Sequence, residues 1–241
     1  MKHVFLILAL AALHDNATAQ TFTANNGLIH EMGTIRLAVD ALFRNAFDEY
    51  PPLDEAMRMA FEEARPPFEG LDVILATHRH LDHMVPAAMA SYLCHSPGTV
   101  AFIPVDARDD VLTAAPCDGL AEQIRSGFEP FVIDSLTITP VAVPHAGVDN
   151  RAYVLEYGGR RVVHLGDSSL SDELVSSPID VLAAPYWNLG DDDFLKLYRR
   201  SGSPFLIAIH APPADRAQVQ ARMDALGLAG WVPTAPMETR P

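Results

Sequence analysis

Thr77-His78-Arg79-His80-Leu81-Asp82-His83 packs three histidines and an aspartate into six residues, as His-x-His-x-Asp-His. Imidazole nitrogens and carboxylate oxygens are the donors that Zn²⁺ and similar ions prefer. A lone loop histidine is usually a solvated side chain, and a lone Asp82 would read as a helix cap. Four such groups at this density point to metal binding. Three more donors follow at the ends of apolar segments. His145 comes after Ile138–Val143 and Pro144, Asp167 after Val162–Leu165 and Gly166, and His210 after Phe205–Ile209. Seven donors exceed one tetrahedral ion. They suffice for two ions that share a bridging carboxylate and a bridging hydroxide, the apparatus of metal-assisted hydrolysis.

Reading outward, Leu71–Ala76 is an unbroken apolar run that predicts a buried strand delivering the chain into the histidine loop. In that loop His78 and His80 can converge on one ion. Asp82 and His83 are expected to begin a helix, continued by Val85–Leu93, and to turn toward the second ion. Upstream, Leu28–His30 and Ile35–Val39 read as strands around the Met32-Gly33 turn, and Asp54–Ala64 has helical spacing. Downstream, Thr99–Pro104, Phe131–Ile133 and Leu136–Val143 read as strands and Leu120–Arg125 as helix. Ala152–Tyr157 and Arg160–Leu165 flank Gly158-Gly159 as a hairpin. Ile179–Ala184 and Phe205–Ile209 read as strands, Asp192–Arg200 and Ala217–Leu226 as helices, and Trp231–Pro241 as a loosely ordered tail. Strands alternate with helices and include hairpins. That pattern predicts an α/β fold built as a four-layer αββα sandwich rather than a purely parallel sheet.

The motifs resemble those of the metallo-β-lactamase-fold hydrolase superfamily, over Gly27 to His210 and in order. The resemblance implies that His78, His80 and His145 hold a first metal, that Asp82, His83 and His210 hold a second, and that Asp167 bridges both. It implies a supporting role for Asp40, in Leu37-Ala38-Val39-Asp40, behind the ligand loop. True β-lactamases of this fold lack the bridging aspartate, so the resemblance is to the branch of thioesterases, lactonases and phosphodiesterases. The flavin-linked diiron oxidoreductases carry a glutamate where His80 stands. After His210 the sequence predicts one helix and a tail, which is unlike the helical substrate domain of glyoxalase II and points the expectation away from that enzyme.

The expected chemistry is hydrolysis of a small ester, lactone, thioester or phosphodiester by a metal-bridging hydroxide. Asp82 would orient that hydroxide and move a proton. The cofactors implied are two divalent ions, zinc first, with iron or manganese as alternatives. Two other readings stand beside it: a metal-binding protein without turnover, and a mononuclear iron enzyme like the persulfide dioxygenases. Tyr186, Trp187 and Asn188, after Ile179–Pro185, are candidate substrate contacts. His164 reads as a structural histidine. His30 and His95 lie in no motif.

The chain has 241 residues, 49% apolar and 20% charged, enough for one domain with a sizeable core. Met1-Lys2-His3, the apolar run Val4–Leu13 and Ala17-Thr18-Ala19 predict a secretory signal peptide over 1–19, leaving a single domain over 20–241. Ten apolar residues fall short of the ~20 that span a bilayer. The mature chain is therefore expected in a bacterial periplasm, with no membrane attachment. Cutting after Ala19 removes Lys2 and Asp15, so the formal net charge of −14 persists. Such a surface repels nucleic acid and leaves a small molecule as the expected partner. Composition leaves the oligomeric state open. Cys94 and Cys117 would close a loop of roughly 24 residues as a disulfide, worth about 3 kcal/mol; two buried thiols are the alternative.

Overall fold

Strands β1 (Thr18–Phe22), β2 (Leu28–Met32) and β3 (Ile35–Val39) form an antiparallel meander. Helix α1 (Glu55–Glu62) then leads to β4 (Val73–Leu75), parallel to β3. Helix α2 (Pro86–His95) leads to β5 (Val100–Phe102), again parallel. Helices α3 (Arg108–Ala114) and α4 (Leu120–Gln123) precede the short edge strand β6 (Ile124–Arg125). The second half starts with an antiparallel run, β7 (Phe131–Ile133), β8 (Leu136–Ala142), β9 (Arg151–Tyr157) and β10 (Arg160–His164). It finishes with parallel β11 (Val181–Pro185), β12 (Phe205–Ile209) and β13 (Gly230–Trp231), connected through α5 (Asp192–Arg200) and α6 (Arg216–Ala225). Finally β14 (Thr239–Arg240) crosses back to pair with β1. The result is two seven-stranded sheets. This computed structural model describes residues 18–44, 47, 49–145 and 147–240.

Period-two alternation sorts the side chains into three apolar layers. Leu37, Val39, Val73 and Leu75 face Leu155, Val162, Val181 and Ile207 between the sheets. Ala38 and Ile74, one residue out of phase, pack outward against Phe61, Met89 and Leu93 of the first helical layer. Val163 and Leu182 pack outward against Phe194, Tyr198 and Met223 of the second. Strands buried on both faces must be apolar at every position, which is why Val73-Ile74-Leu75 reads as an unbroken run. The αββα expectation holds.

Four local expectations change. Ile124 and Arg125 leave the helix at Gln123: Ile124 takes an extended backbone, buries its side chain and pairs with β5. Helix α3, not foreseen, buries mainly Val111, and so few inward residues leave a weak pattern. Asp82 and His83 lie in a turn before α2, held by His83 and Met84 N–H donating to the His80 carbonyl. The tail is ordered: Trp231 sits in β13, its indole N–H donates to Glu238 at 2.9 Å, and Thr239–Arg240 extends the first sheet.

Cys94 and Cys117 form a disulfide, with Cα atoms 5.9 Å apart, tying α2 to the segment before α4. The apolar lead Val4–Leu13 lies outside the described residues, as do residues 1–17 as a whole. Thr18 and Ala19 are the first two residues of β1, so a cut after Ala19 would leave Gln20–Phe22 paired with β2 and Gln20 and Thr21 paired with β14. No helix among the described residues is long and apolar enough to cross a membrane.

Candidate metal centre

All seven donors converge at one edge of the sandwich, where β4, β8, β10 and β12 end. His78, His80 and His145 form one cluster, and Asp82, His83, Asp167 and His210 form another. In the first, His78 Nε2 lies 3.0 Å from His80 Nδ1, and His145 Nε2 lies 3.4 Å from the same atom. In the second, His83 Nε2 is 3.1 Å and His210 Nε2 3.4 Å from Asp167 Oδ1, and His210 Nε2 is 3.2 Å from Asp82 Oδ2. A tetrahedral ion with ~2.05 Å bonds to nitrogen spaces its ligands about 3.3 Å apart. Both clusters have that spacing. The other oxygen of Asp167, Oδ2, faces the first cluster, 3.8 Å from His145 Nε2 and 4.0 Å from His78 Nε2.

Behind these donors a buried frame sets their orientation. Asp40 follows β3 and accepts from Thr77 N–H at 2.7 Å, from the Thr77 hydroxyl at 2.7 Å and from His83 Nδ1 at 2.8 Å. Because the Thr77 hydroxyl donates to Asp40, it is free to accept the Nδ1 proton of His78 at 3.1 Å. Both His78 and His83 therefore carry a proton on Nδ1 and turn Nε2 toward the site, where the Asn26 amide nitrogen also lies 2.8 Å from His83 Nε2. The Asn25-Asn26 turn closes the back: Asn25 donates to the Asp82 carbonyl at 3.2 Å, and its own carbonyl accepts from His210 N–H at 3.1 Å. Asp40 and His210 both have left-handed backbones, with φ of 49° and 61°. Local strain of this kind collects at functional sites and is held there by surrounding contacts.

His164 is fully buried. Its Nε2 donates to the Asn26 carbonyl at 3.1 Å and its Nδ1 accepts from Gly166 N–H at 3.2 Å, so it braces the turn that carries Asp167. Gly166 has φ +56°, and a Cβ there would lie 2.5 Å from the Thr77 hydroxyl. Only glycine fits both the turn and that approach.

The electrostatics suit cations. Burial pushes His78 down to about 3, so its imidazole is neutral. Burial also opposes protonation of His83, but Asp40 and Asp167 outweigh it and raise the group to about 10. Burial would raise Asp167; the neighbouring His83 and His210 instead hold it far below the usual carboxylate range. Asp82 is lowered in the same way, against its burial, by His210 and His83. Ionised Asp82 and Asp167 thus face His83 and His210, which are raised against their burial, His83 by Asp40 and Asp167 and His210 by Asp167 and Asp82, an arrangement that favours positive charge at the site. Asp167 Oδ1 is buried and has no hydrogen bond of acceptable geometry, despite two nitrogens within 3.4 Å. An oxygen so placed fits a metal ligand.

Above the donors lies a cavity of about 320 Å³ whose walls include Phe47, Tyr50 and Trp187. Tyr50 and Trp187 flank the His210 ring, with centroids at 4.3 and 4.9 Å. Burial and the nearby Tyr186, Glu49, Asp167 and Asp82 push the Tyr50 phenol up to about 12, so it stays protonated and can donate. Phe47 and Tyr50 were not legible in the sequence, since they sit in a loop after β3 with no motif and no period. Of the three aromatic and amide candidates after β11, Trp187 lines this cavity, while Tyr186 does not and packs against the Trp187 ring with centroids 5.6 Å apart. Asn188 does not face the cavity: it is buried and donates to the Ser168 carbonyl at 2.9 Å, supporting the Asp167 turn from below.

Residues 36–227 match the family described as β-lactamase superfamily domain, and the chain belongs to that family. Its fold is that of the metallo-β-lactamase-type hydrolases. Three solved structures illustrate the likeness. Igni18, a metallo hydrolase from the archaeon Ignicoccus hospitalis, superposes with a TM-score of 0.67 at 19% identity, covering 92% of this chain and 97% of that one. An isothiocyanate hydrolase from Delia radicum gut bacteria gives 0.66 at 16% identity, over 92% and 98%. YhfI from Bacillus subtilis, a metallo-β-lactamase-fold protein, gives 0.64 at 15% identity, over 92% and 98%. No curated protein sequence matches the chain.

Proposed function

We propose that this protein is a metal-dependent hydrolase that holds two divalent ions, zinc first among them and iron or manganese as alternatives, and cleaves a small ester, lactone, thioester or phosphodiester. The observation that carries the reading is Asp167, which turns one oxygen toward each cluster. His78, His80 and His145 would hold the first ion and Asp82, His83 and His210 the second, with Asp167 between them. Bound there, such ions supply Lewis acidity and bring water toward ionisation near neutral pH. The chain's own part is to orient and to exclude. Asp40 and Thr77 lock two imidazoles in one tautomer. Asp82, ionised and 3.2 Å from His210, is placed to accept a proton. Tyr50 offers a phenol donor at the mouth of the cavity. Phe47 and Trp187 give the cavity wall an apolar part on which a substrate can lie.

We also propose export, with the mature chain beginning at Gln20. The apolar leader and the Cys94–Cys117 disulfide support it, since disulfides persist in oxidising compartments. Mass spectrometry of the exported N-terminus decides this point. The partner is a small molecule, and the net charge of −14 disfavours nucleic acid.

The test is a panel of ester, lactone, thioester and phosphodiester substrates, with an aryl isothiocyanate added because one structural neighbour is an isothiocyanate hydrolase. Each is assayed with chelated and zinc-reconstituted protein. Turnover that disappears with chelator and returns with metal supports the proposal. Two bound ions with no turnover across the panel would favour a metal-binding protein, and oxygen consumption with a persulfide would favour the iron oxygenase reading.

A further inference from the structure

Trp187 borders two cavities. One is the space of about 320 Å³ above the seven donors. The other, about 350 Å³, lies between the Tyr186–Gly190 turn and α6, and its walls include Leu189, Gly190, Gln218 and Val219. The Trp187 ring is 42% exposed, unusual for so large an apolar group. Its neighbours make a continuous aromatic path: Tyr50 against His210 at 4.3 Å, His210 against Trp187 at 4.9 Å, Trp187 against Tyr186 at 5.6 Å. The second cavity has an apolar floor, with Leu189 and Val219 only 4% and 5% exposed. Asp215 and Arg222 stand in its wall with opposite charge, so the cavity selects neither sign. Nothing in it resembles a catalytic group or a metal-ligand set.

We propose that this second cavity is a binding subsite for a neutral apolar arm of the substrate, with Trp187 as the saddle over which the substrate lies. The inference rests on the hydrolase reading and narrows it. The reacting carbonyl or phosphoryl group sits among the donors; the arm crosses Trp187 and fills the space against Leu189 and Val219. A cavity of roughly 150 Å³ accommodates benzene, so the second space suits a phenylalkyl group or a chain of about six to ten carbons. Contact with aromatic rings and apolar walls favours such an arm over an acetyl group, which would leave the second space to water. A charged arm would have to be desolvated beside a residue of its own sign.

Two variants close the subsite without touching the donors. At Gly190 an added Cβ meets nothing within 4 Å, so Gly190→Trp can fill the space from the turn. Gln218 is exposed on α6, so Gln218→Trp fills it from the helix and leaves the core intact. Two readouts are taken on zinc-loaded protein. The first is binding of 4-phenylbutanamide, with acetamide as the short control, followed by titration calorimetry. The second is kcat/KM for p-nitrophenyl acetate, octanoate and 4-phenylbutanoate. The expected result is saturable binding of the phenyl amide but not acetamide, and a preference of at least tenfold for the long-arm esters. Both should fall at least tenfold in either variant, with acetate turnover within about twofold and zinc content unchanged. Binding without ester turnover would keep the subsite and count against the hydrolase reading for esters. Absence of phenyl amide binding, a flat dependence on arm length, or binding that survives both variants would overturn the subsite even if the acetate is hydrolysed.

Discussion

The Asp40 carboxylate accepts the Nδ1 proton of His83 at 2.8 Å, with both side chains buried. A carboxylate in this position fixes the tautomer of the imidazole and raises the basicity of its other nitrogen. Asp40 does the same for His78 indirectly, through the Thr77 hydroxyl. One residue at the end of β3 therefore orients a donor of each cluster.

Asp40→Ala should lower metal affinity or activity by about 10- to 100-fold, the usual cost of removing an outer hydrogen-bond partner of a ligand. Competition with a chromogenic chelator measures the affinity. Unchanged affinity in a folded variant would remove Asp40 from the metal frame.

Asp167→Ala should cost more activity than His164→Ala and should lower metal content toward one ion or fewer. Asp167 offers an oxygen to both clusters, whereas His164 bonds only the Asn26 carbonyl and Gly166 N–H. The His164 variant should lose stability more than it loses metal. Elemental analysis with kcat/KM separates the two, and two ions retained by active Asp167→Ala would refute the bridging assignment.

Gly166→Ala should destabilise the fold by about 1–3 kcal/mol, from left-handed strain plus collision with Thr77. In a chain of this size that corresponds to a fall in Tm of several degrees. An unchanged Tm would mean that the turn relaxes freely.

Metal removal should lower Tm as well as activity. Ions that bind only the folded chain stabilise it by about 2.7 kcal/mol when free metal is 100 times Kd. Two carboxylates and a left-handed His210 are held together in the site, so the chelated protein should melt earlier and recover with zinc. Identical melting with and without metal would argue against tight binding.

Glu62 lies between Arg44 and Arg58, with its oxygens 2.8 and 2.7 Å from their guanidinium groups. Burial raises its carboxyl, but the two arginines outweigh it and lower the group overall. A depressed folded value contributes stability that is present above the unfolded carboxylate pKa and lost as pH falls through the folded value. The stability gap between wild type and Glu62→Gln should therefore be largest near neutral pH and close in acid. Because Arg44 is 43% exposed, the gap should be modest, on the order of 1 kcal/mol. Urea melts at several pH values check it.

Within the sequence itself lay everything governed by short spacing. Three histidines and an aspartate in 78–83 cannot be dispersed by folding, and apolar runs at period two or buried on both faces announce strands wherever they occur. The ends of those strands carried His145, Asp167 and His210, so the donor set and the layered architecture were both legible. Asp40 was legible only through the resemblance, because an aspartate after a strand is also an ordinary turn residue. Tertiary structure alone decided the rest. Which donors share a cluster depends on β4, β8, β10 and β12 ending at one edge, a matter of strand order across two sheets. The pairing of Cys94 with Cys117 depends on the 5.9 Å that separates their Cα atoms. The tail gained order by pairing with β1, some 220 residues away in sequence. Phe47 and Tyr50, and the direction of Asn188, came from loops whose paths are set by what they pack against. Local pattern encodes the element and the donor; the contact between distant segments is encoded nowhere but in the packed chain.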